Sequence, residues 1–323
     1  MFTLSELETA QRLVSAHVPP TPALDWPLLA QALGARQVIV KHENHAPTGA
    51  FKVRGGVTFL DWLRRAHPDM QGVITATRGN HGQSQARAAR ALGLRAKILV
   101  PQGNSVEKNA AMRAYGGELV EHGADFDEAR EEAMRLAGQE PLYPVPPFHR
   151  ELVRGVATYG LELFHAHPDL DRVYVPIGCG SGICGVIAAR DALGLTCEVV
   201  GVVSTGADGA LRSVRAGHAV ETPQARTFAD GMAVRVPVPE ALAIYGPGAH
   251  HLGAVSDAQV ADAIRLYFTA THNLAEGAGA AALALAMAET GQLAGRKVGL
   301  VLSGGNIDRA WYAQVLAGGV PAV

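Results

Sequence analysis

Lys52 is the residue best placed for covalent chemistry. It follows a turn in Pro47-Thr48-Gly49-Ala50-Phe51-Lys52-Val53-Arg54-Gly55-Gly56 and opens a helical pattern, with Phe51 and Val53 on either side. A lysine among apolar neighbours loses hydration, its pKa falls, and the free amine can attack a carbonyl. A positive charge at a helix N-terminus also opposes the helix dipole, which makes the placement unusual for a merely solvated side chain. The bland alternative is a lysine whose stem snorkels along the helix start.

Three other segments carry residues of unusual type. In Thr75-Ala76-Thr77-Arg78-Gly79-Asn80-His81-Gly82-Gln83-Ser84, two glycines and an asparagine permit a tight turn that offers successive N–H groups to a carboxylate or a phenolic oxygen. A plain strand-to-helix connection is the competing reading. In Pro176-Ile177-Gly178-Cys179-Gly180-Ser181-Gly182-Ile183-Cys184-Gly185, small residues let backbone amides approach an anion, and the next helix adds its positive end. That describes a phosphate cradle, with tight helix–strand packing as the alternative. A dinucleotide site would need an acid at the end of the following strand to hold a ribose. That strand runs into Ser204-Thr205 and has its only acid, Glu198, at its start. The fourth segment, Leu302-Ser303-Gly304-Gly305-Asn306, ends a strand with a short neutral hydroxyl, which elsewhere often serves only as a turn or cap. A nucleophilic lysine, a phosphate cradle and a neutral strand-end hydroxyl together describe one cofactor, pyridoxal phosphate held as a Schiff base.

These segments need a scaffold, and the pattern supplies one. Buried strands are expected at 37–41, 72–76, 96–100, 172–177, 197–203 and 297–302. Helices are expected near the N-terminus and at about 83–92, 105–115, 125–138, 154–165, 183–193, 257–270 and 277–289. Strands alternating with helices predict an α/β architecture of mainly parallel sheets, whose ligands gather at the carboxyl ends of strands. Residues 142–150 hold Pro144, Pro146 and Pro147, with Pro141 just before; the segment cannot be helix interior or central strand and is expected to lead from one sheet to the other.

With 323 residues the chain is about two domains long, at roughly 150 residues each. Its formal charge of -2 provides no electrostatic footprint for nucleic acid or an anionic membrane. Cys179, Cys184 and Cys197 form no CxxC pair, so neither a disulfide framework nor a structural zinc is expected. The first residues lack a secretory signal pattern, and no run of about 18 apolar residues occurs, so the expectation is a cytoplasmic protein.

PTGAFKVRGG, TRGNHGQS, PIGCGSGICG and LSGGN, in this order and spacing, resemble the motifs of the fold type II pyridoxal phosphate enzymes, in particular the threonine/serine dehydratase (ammonia-lyase) and serine racemase family. VPPTPAL, SVEKNAAMRAYGGELV, RGVATYGLEL and EGAGAAALA extend the likeness over nearly the whole chain. The resemblance implies a tryptophan synthase β-like fold of two doubly wound domains. The larger, 1–66 with 150–323, would bind the cofactor; the smaller, 67–149, would move over the substrate. It further implies that Lys52 carries the cofactor and later removes the Cα proton, with Phe51 beside the ring and Glu276 near it. Asn80 would meet the phenolic oxygen, Gly178, Cys179, Gly180, Ser181 and Gly182 the phosphate, and Ser303 the pyridine nitrogen. Arg78, Gly79, Asn80 and His81 would receive the substrate carboxylate. The implied reaction is dehydration and deamination of a β-hydroxy amino acid, L-threonine or L-serine first, to a 2-oxo acid and ammonia. A racemase or β-replacement enzyme is the alternative within the family, and a non-catalytic cofactor-binding protein the alternative outside it. A homodimer is implied as well, and the C-terminal regulatory domain of biosynthetic threonine deaminases is expected to be absent.

The chain departs from the family in places. Arg78 stands where serine racemases have a serine that acts as the base on the opposite face. Arginine stays protonated and cannot take that proton, so elimination without racemisation is expected. Its fork could instead grip a second carboxylate, as in 3-hydroxyaspartate. Val203 and Gly209 occupy the positions of two carboxylate ligands of the family's divalent cation, so no metal is expected there. Cys179 and Ser181 replace cradle glycines, and Ala50 a serine. Asp230, Gly231 and Val234 are candidates for the substrate wall.

Overall fold

The computed structural model describes residues 1–124 and 126–322. Its strands are β1 (Ala23–Asp25), β2 (Gln37–His42), β3 (Gly72–Ala76), β4 (Arg95–Val100), β5 (Glu118–Glu121), β6 (Leu142–Pro144), β7 (Arg172–Pro176), β8 (Glu198–Ser204), β9 (His251–Val255) and β10 (Lys297–Leu302). They form a six-stranded sheet in the order β1-β2-β10-β7-β8-β9 and a four-stranded sheet in the order β5-β4-β3-β6. Only β1 runs antiparallel to its neighbour, with Leu24 opposite Val40. All six strands expected from the sequence are present. The four it missed are β1, β5, β6 and β9, which are the four sheet edges.

Alternation explains why the larger sheet is covered on both sides. Val38 and Val40 of β2 point into one apolar layer, Ile39 into the other. The first layer is closed by α2 (Pro27–Leu33), α11 (Asp257–Thr271), α12 (Gly277–Ala288) and α13 (Arg309–Leu316). The second is closed by α1 (Leu4–Ser15), α7 (Arg150–Ala166), α8 (Ser181–Ala192), α9 (Gly209–Ala216) and α10 (Pro239–Gly248). Residues 277–286 of α12 are all buried, which is why that helix is apolar on every side. The smaller sheet packs against α4 (Asn80–Ala91), α5 (Val106–Ala114) and α6 (Phe126–Ala137).

α3 (Lys52–Ala66) lies on the seam between the two sheets. Its Val53, Val57 and Leu60 join Val73, Ala86 and Ile98 of the smaller unit in one cluster. On its other side, Gly55 lies against the backbone of Leu152 in α7, where an added Cβ would sit 2.7 Å from that carbonyl oxygen. The proline segment behaves as its composition requires. Leu142–Pro144 is an edge strand beside β3, and the chain then enters α7 at Arg150, four residues earlier than the apolar periodicity indicates.

Candidate active site

The carboxyl ends of β2, β3, β7 and β10 converge on Lys52. Backbone hydrogen bonds stitch two of the motifs together: the Phe51 amide donates to the Ser303 carbonyl (3.1 Å), and the Gly305 amide to that of Gly49 (2.9 Å). Gly49 has φ of +68° and lies tight against the Asn306 side chain, a place only glycine fills without strain. The Lys52 amine donates to the Ser181 hydroxyl at 3.2 Å and lies 4.9 Å from the centre of the Phe51 ring. Burial pushes its pKa below the ordinary lysine value, against the opposing influence of Cys179 and Glu276.

Two of the site helices begin earlier than the sequence pattern suggests, and this places their motif residues in the first turn. α8 starts at Ser181, preceded by Gly180 with φ of +95°, and has no side-chain cap. Its first N–H groups are free to meet an anion, and Gly178 approaches the Gly231 carbonyl so closely that a Cβ could not fit. The Cys179 thiol is held neutral by burial. Likewise α4 starts at Asn80, directly after Gly79. Asn80 Nδ2 donates to Glu276 Oε1 (2.7 Å), and its Oδ1 accepts from Asn306 Nδ2 (2.7 Å). One hydrogen of that amide remains for a further acceptor.

Two buried polar atoms at the site have no partner among the described residues: Glu276 Oε2 and His81 Nε2. Burial, with the Asp230 charge adding to it, raises the Glu276 carboxyl to about 7, against Lys108, the Asn80 bond and Lys52. Burial and the neighbouring Lys52 charge lower His81 to about 3. Ser303, at the end of β10, is buried as well.

Beside this cluster opens a cavity of about 390 Å³, walled by Arg78, Asn104, Lys108, Asp230, Glu276 and Trp311 among others. Lys52 does not line it, whereas Glu276 does. Arg78 is exposed on this wall and has no ion-pair or hydrogen-bond partner among the described residues. The sequence reading missed Lys108, Asn104 and Trp311. Only SVEKNAAMRAYGGELV hinted at the first, and no motif marked the other two. Of the wall candidates, Asp230 lines the cavity. Val234 instead borders a small apolar gap with Val203, Ala207, Ala210 and Met232, where no carboxylate is among the lining residues.

The fit to a phosphorylated aldehyde cofactor is specific. An amine of lowered pKa lies beside an uncapped helix N-terminus, and an aromatic ring flanks it. Two buried polar atoms without partners among the described residues, Glu276 Oε2 and His81 Nε2, belong to groups that act on its charge or feel it. These features define a pyridoxal phosphate site on an α/β scaffold. Residues 14–304 match the family described as pyridoxal-phosphate dependent enzyme, and the chain belongs to it. It is 33% identical over 309 residues to the L-threonine ammonia-lyase of Thermotoga maritima, covering 95% of this chain and 76% of that one. It is 32% identical to the biosynthetic L-threonine dehydratase of Pasteurella multocida, covering 89% of this chain but only 56% of that enzyme. It is 29% identical to the serine racemase of Schizosaccharomyces pombe, over 98% of this chain and 97% of that one. Among solved structures it resembles the processed threonine deaminase isoform 2 of Solanum lycopersicum, with a TM-score of 0.89 at 29% identity, covering 98% and 95% of the two chains. No helix among the described residues is long and apolar enough to cross a membrane.

Proposed function

We propose that the chain catalyses β-elimination on a β-hydroxy α-amino acid, releasing a 2-oxo acid and ammonia, with L-threonine and L-serine the first substrates to expect. The observation that carries the proposal is the Lys52 amine, its pKa depressed, 3.2 Å from the first residue of an uncapped helix that follows a glycine cradle. Bound pyridoxal phosphate supplies a carbonyl that condenses with amines and a ring that withdraws electrons from the substrate's α-carbon.

The protein's side chains do the remaining work. The backbone at Gly178, Cys179, Gly180, Ser181 and Gly182 would hold the phosphate, and Phe51 would wall one side of the ring. The hydroxyl of Ser303 offers the ring nitrogen a neutral partner, which does not force that nitrogen to stay protonated. The spare Asn80 hydrogen would meet the phenolic oxygen. Lys52, whose proton affinity burial lowers, would take the α-proton at Nζ, and general acid–base help of this kind contributes about 10²–10⁴-fold. The turn at 78–81 would receive the α-carboxylate on the N–H groups opening α4. Segment 67–149 would close over the substrate and exclude water, and two chains would form a homodimer.

Arg78 bears on the outcome at the α-carbon. A guanidinium cannot accept a proton there, so elimination proceeds without racemisation. Its unpartnered fork on the cavity wall also favours a second reading, in which the preferred substrate carries a second carboxylate, as 3-hydroxyaspartate does. The test is a panel of L-serine, L-threonine, 3-hydroxyaspartate and phenylserine, assayed for 2-oxo acid and for D-serine. Elimination without D-serine is the expected result; D-serine formed as fast as pyruvate overturns it. If Arg78→Ala loses kcat/KM for 3-hydroxyaspartate at least about tenfold more than for threonine, the acidic-substrate reading stands. Equal loss for both removes it.

A further inference from the structure

Lys108 is the most deeply buried cation on the cavity wall, and nothing in the proposed chemistry uses it. It lies in the first turn of α5, whose N-cap Ser105 receives its backbone N–H (3.1 Å) and donates its own hydroxyl to Asp308 (2.5 Å). The side chain leaves its own half of the molecule and ends in an ion pair with Asp230. Along the way its stem lies on Gly79: a Cβ added there would stand 2.6 Å from the lysine Cδ. Glycine before Asn80 thus leaves the Lys108 stem its room, and a Cβ there would force that stem to move.

The far end of the pair is equally constrained. Asp230 opens a short 3₁₀ turn (Asp230–Met232) in the part of the chain that packs on the larger sheet. The next residue, Gly231, presses its carbonyl on Gly178, the first glycine of the cradle. Ala229, the residue before, packs on Gly277 at the start of α12, directly after Glu276; a Cβ on Gly277 would be 2.7 Å from the Ala229 Cα. One side chain therefore runs from the turn that opens α4 to a turn wedged between the cradle and Glu276. Burial acts against its charge, but the carboxylates of Asp230 and Glu276 more than compensate and raise its pKa.

We propose that Lys108 is a positioning residue that holds the turn at 78–81 in register with the cradle through its ion pair with Asp230, and so sets the affinity for the substrate's α-carboxylate. The proposal rests on the reading of that turn as the carboxylate site. A loss of this strut leaves Lys52, the cradle and the ring wall in place while the turn drifts, so substrate binding suffers more than turnover.

The test uses the full chain loaded with pyridoxal phosphate and compares wild type with Lys108→Met, Lys108→Arg, Asp230→Asn and the Lys108→Met/Asp230→Asn pair. Calorimetric titration with L-alanine, which has no β-leaving group, reads binding apart from turnover. For Lys108→Met and Asp230→Asn, KM and the alanine Kd are expected to rise about tenfold or more, with kcat changed less than about threefold. Lys108→Arg, which keeps the charge, should recover much of that affinity. The pair should be no worse than either single change, because both remove one interaction. Cofactor affinity, followed by absorbance, should stay within about twofold. Unchanged KM and alanine Kd in Asp230→Asn overturn the proposal, and so does a loss of kcat and cofactor affinity that matches the loss of KM. Should Lys108→Met fail to fold, Asp230→Asn and Lys108→Arg decide the matter alone. A loaded wild-type enzyme that releases no 2-oxo acid from any β-hydroxy amino acid would instead defeat the parent reading.

Discussion

Lys52 and Arg54 stand two residues apart at the start of α3, both withdrawn from water, and the fold treats them in opposite ways. Arg54 is fully buried and saturated: its guanidinium meets Glu43 at 2.8 and 3.0 Å, Glu162 at 2.7 and 2.8 Å, and the hydroxyls of Thr21 and Thr158. Lys41 joins from β2, 2.5 Å from Glu162 and 2.7 Å from the Thr21 carbonyl, giving a network of two cations and two anions. Glu43 and Glu162 raise the affinity of Arg54 for its proton above the ordinary value, despite burial. Among the described residues Lys52 has no carboxylate in ion-pair contact and hydrogen-bonds the Ser181 hydroxyl, and its proton affinity falls. A buried charge with its partners holds structure. One without them is free to react.

The largest expected effect breaks the chemistry without breaking the fold. Lys52→Met removes the amine while keeping its stem. Release of 2-oxo acid should fall by at least about 10³-fold, and the absorbance band near roughly 410 nm that marks the covalently held cofactor should vanish. The midpoint of thermal unfolding, measured without cofactor, should stay level or rise, because an unpaired desolvated cation contributes nothing to stability. A fall comparable to that of an Arg54 variant would erase the contrast between the two sites.

Arg54→Met should do the reverse. It strands Glu43 and Glu162 with Lys41 as their one buried cation among the described residues, and breaking such a network by removing one partner costs about 3–5 kcal/mol. Urea unfolding of the cofactor-free protein measures it. The Arg54→Met/Glu43→Gln pair should recover part of the loss, since it restores one charge of each sign. If the single variant unfolds like wild type, the network is ornamental and the argument from pairing fails.

The chemistry was legible because it is local, and the edges were not. Each site motif is a short run at a strand end, where glycines and a lone lysine stand out against apolar strands. The four missed strands lie at sheet edges, with mixed polarity: Glu118–Glu121 begins and ends on glutamate, and Leu142–Pro144 ends on proline. A strand covered on one edge only needs no apolar run, so it leaves no run to read. Helix starts were misjudged for a related reason. The helical pattern of α4 and α8 shows only after the polar Asn80-His81-Gly82 of one and the small Ser181-Gly182 of the other, the residues that the ligand would use. Glu276 with Asn80 and Lys108 with Asp230 bring together residues 196 and 122 positions apart, which no local pattern joins.

The same contrast predicts a smaller effect at Glu276, the acid beside Lys52 with one unpartnered oxygen. Its carboxyl is raised from 4.5 to about 7 in the folded chain. The folded state therefore holds this proton more tightly than the unfolded state does. The resulting stability is fully present below about 4.5 and is lost as the pH rises through about 7. At 1.36 kcal/mol per pKa unit, the loss is on the order of 3 kcal/mol at most. Glu276→Gln keeps an acceptor for Asn80 and cannot ionise. Its unfolding free energy, measured without cofactor, should pull ahead of wild type across that interval and stay ahead at pH 8. His81 has the opposite sign: it is lowered from 6.5 to about 3, so its contribution is present above 6.5 and lost towards 3. Because both proteins contain His81, the difference between their curves isolates Glu276. Parallel curves would mean that Glu276 is a fixed anion, a counter-ion for Lys52 after all, and the two ends of this stretch of α3 would then differ less than their contacts indicate.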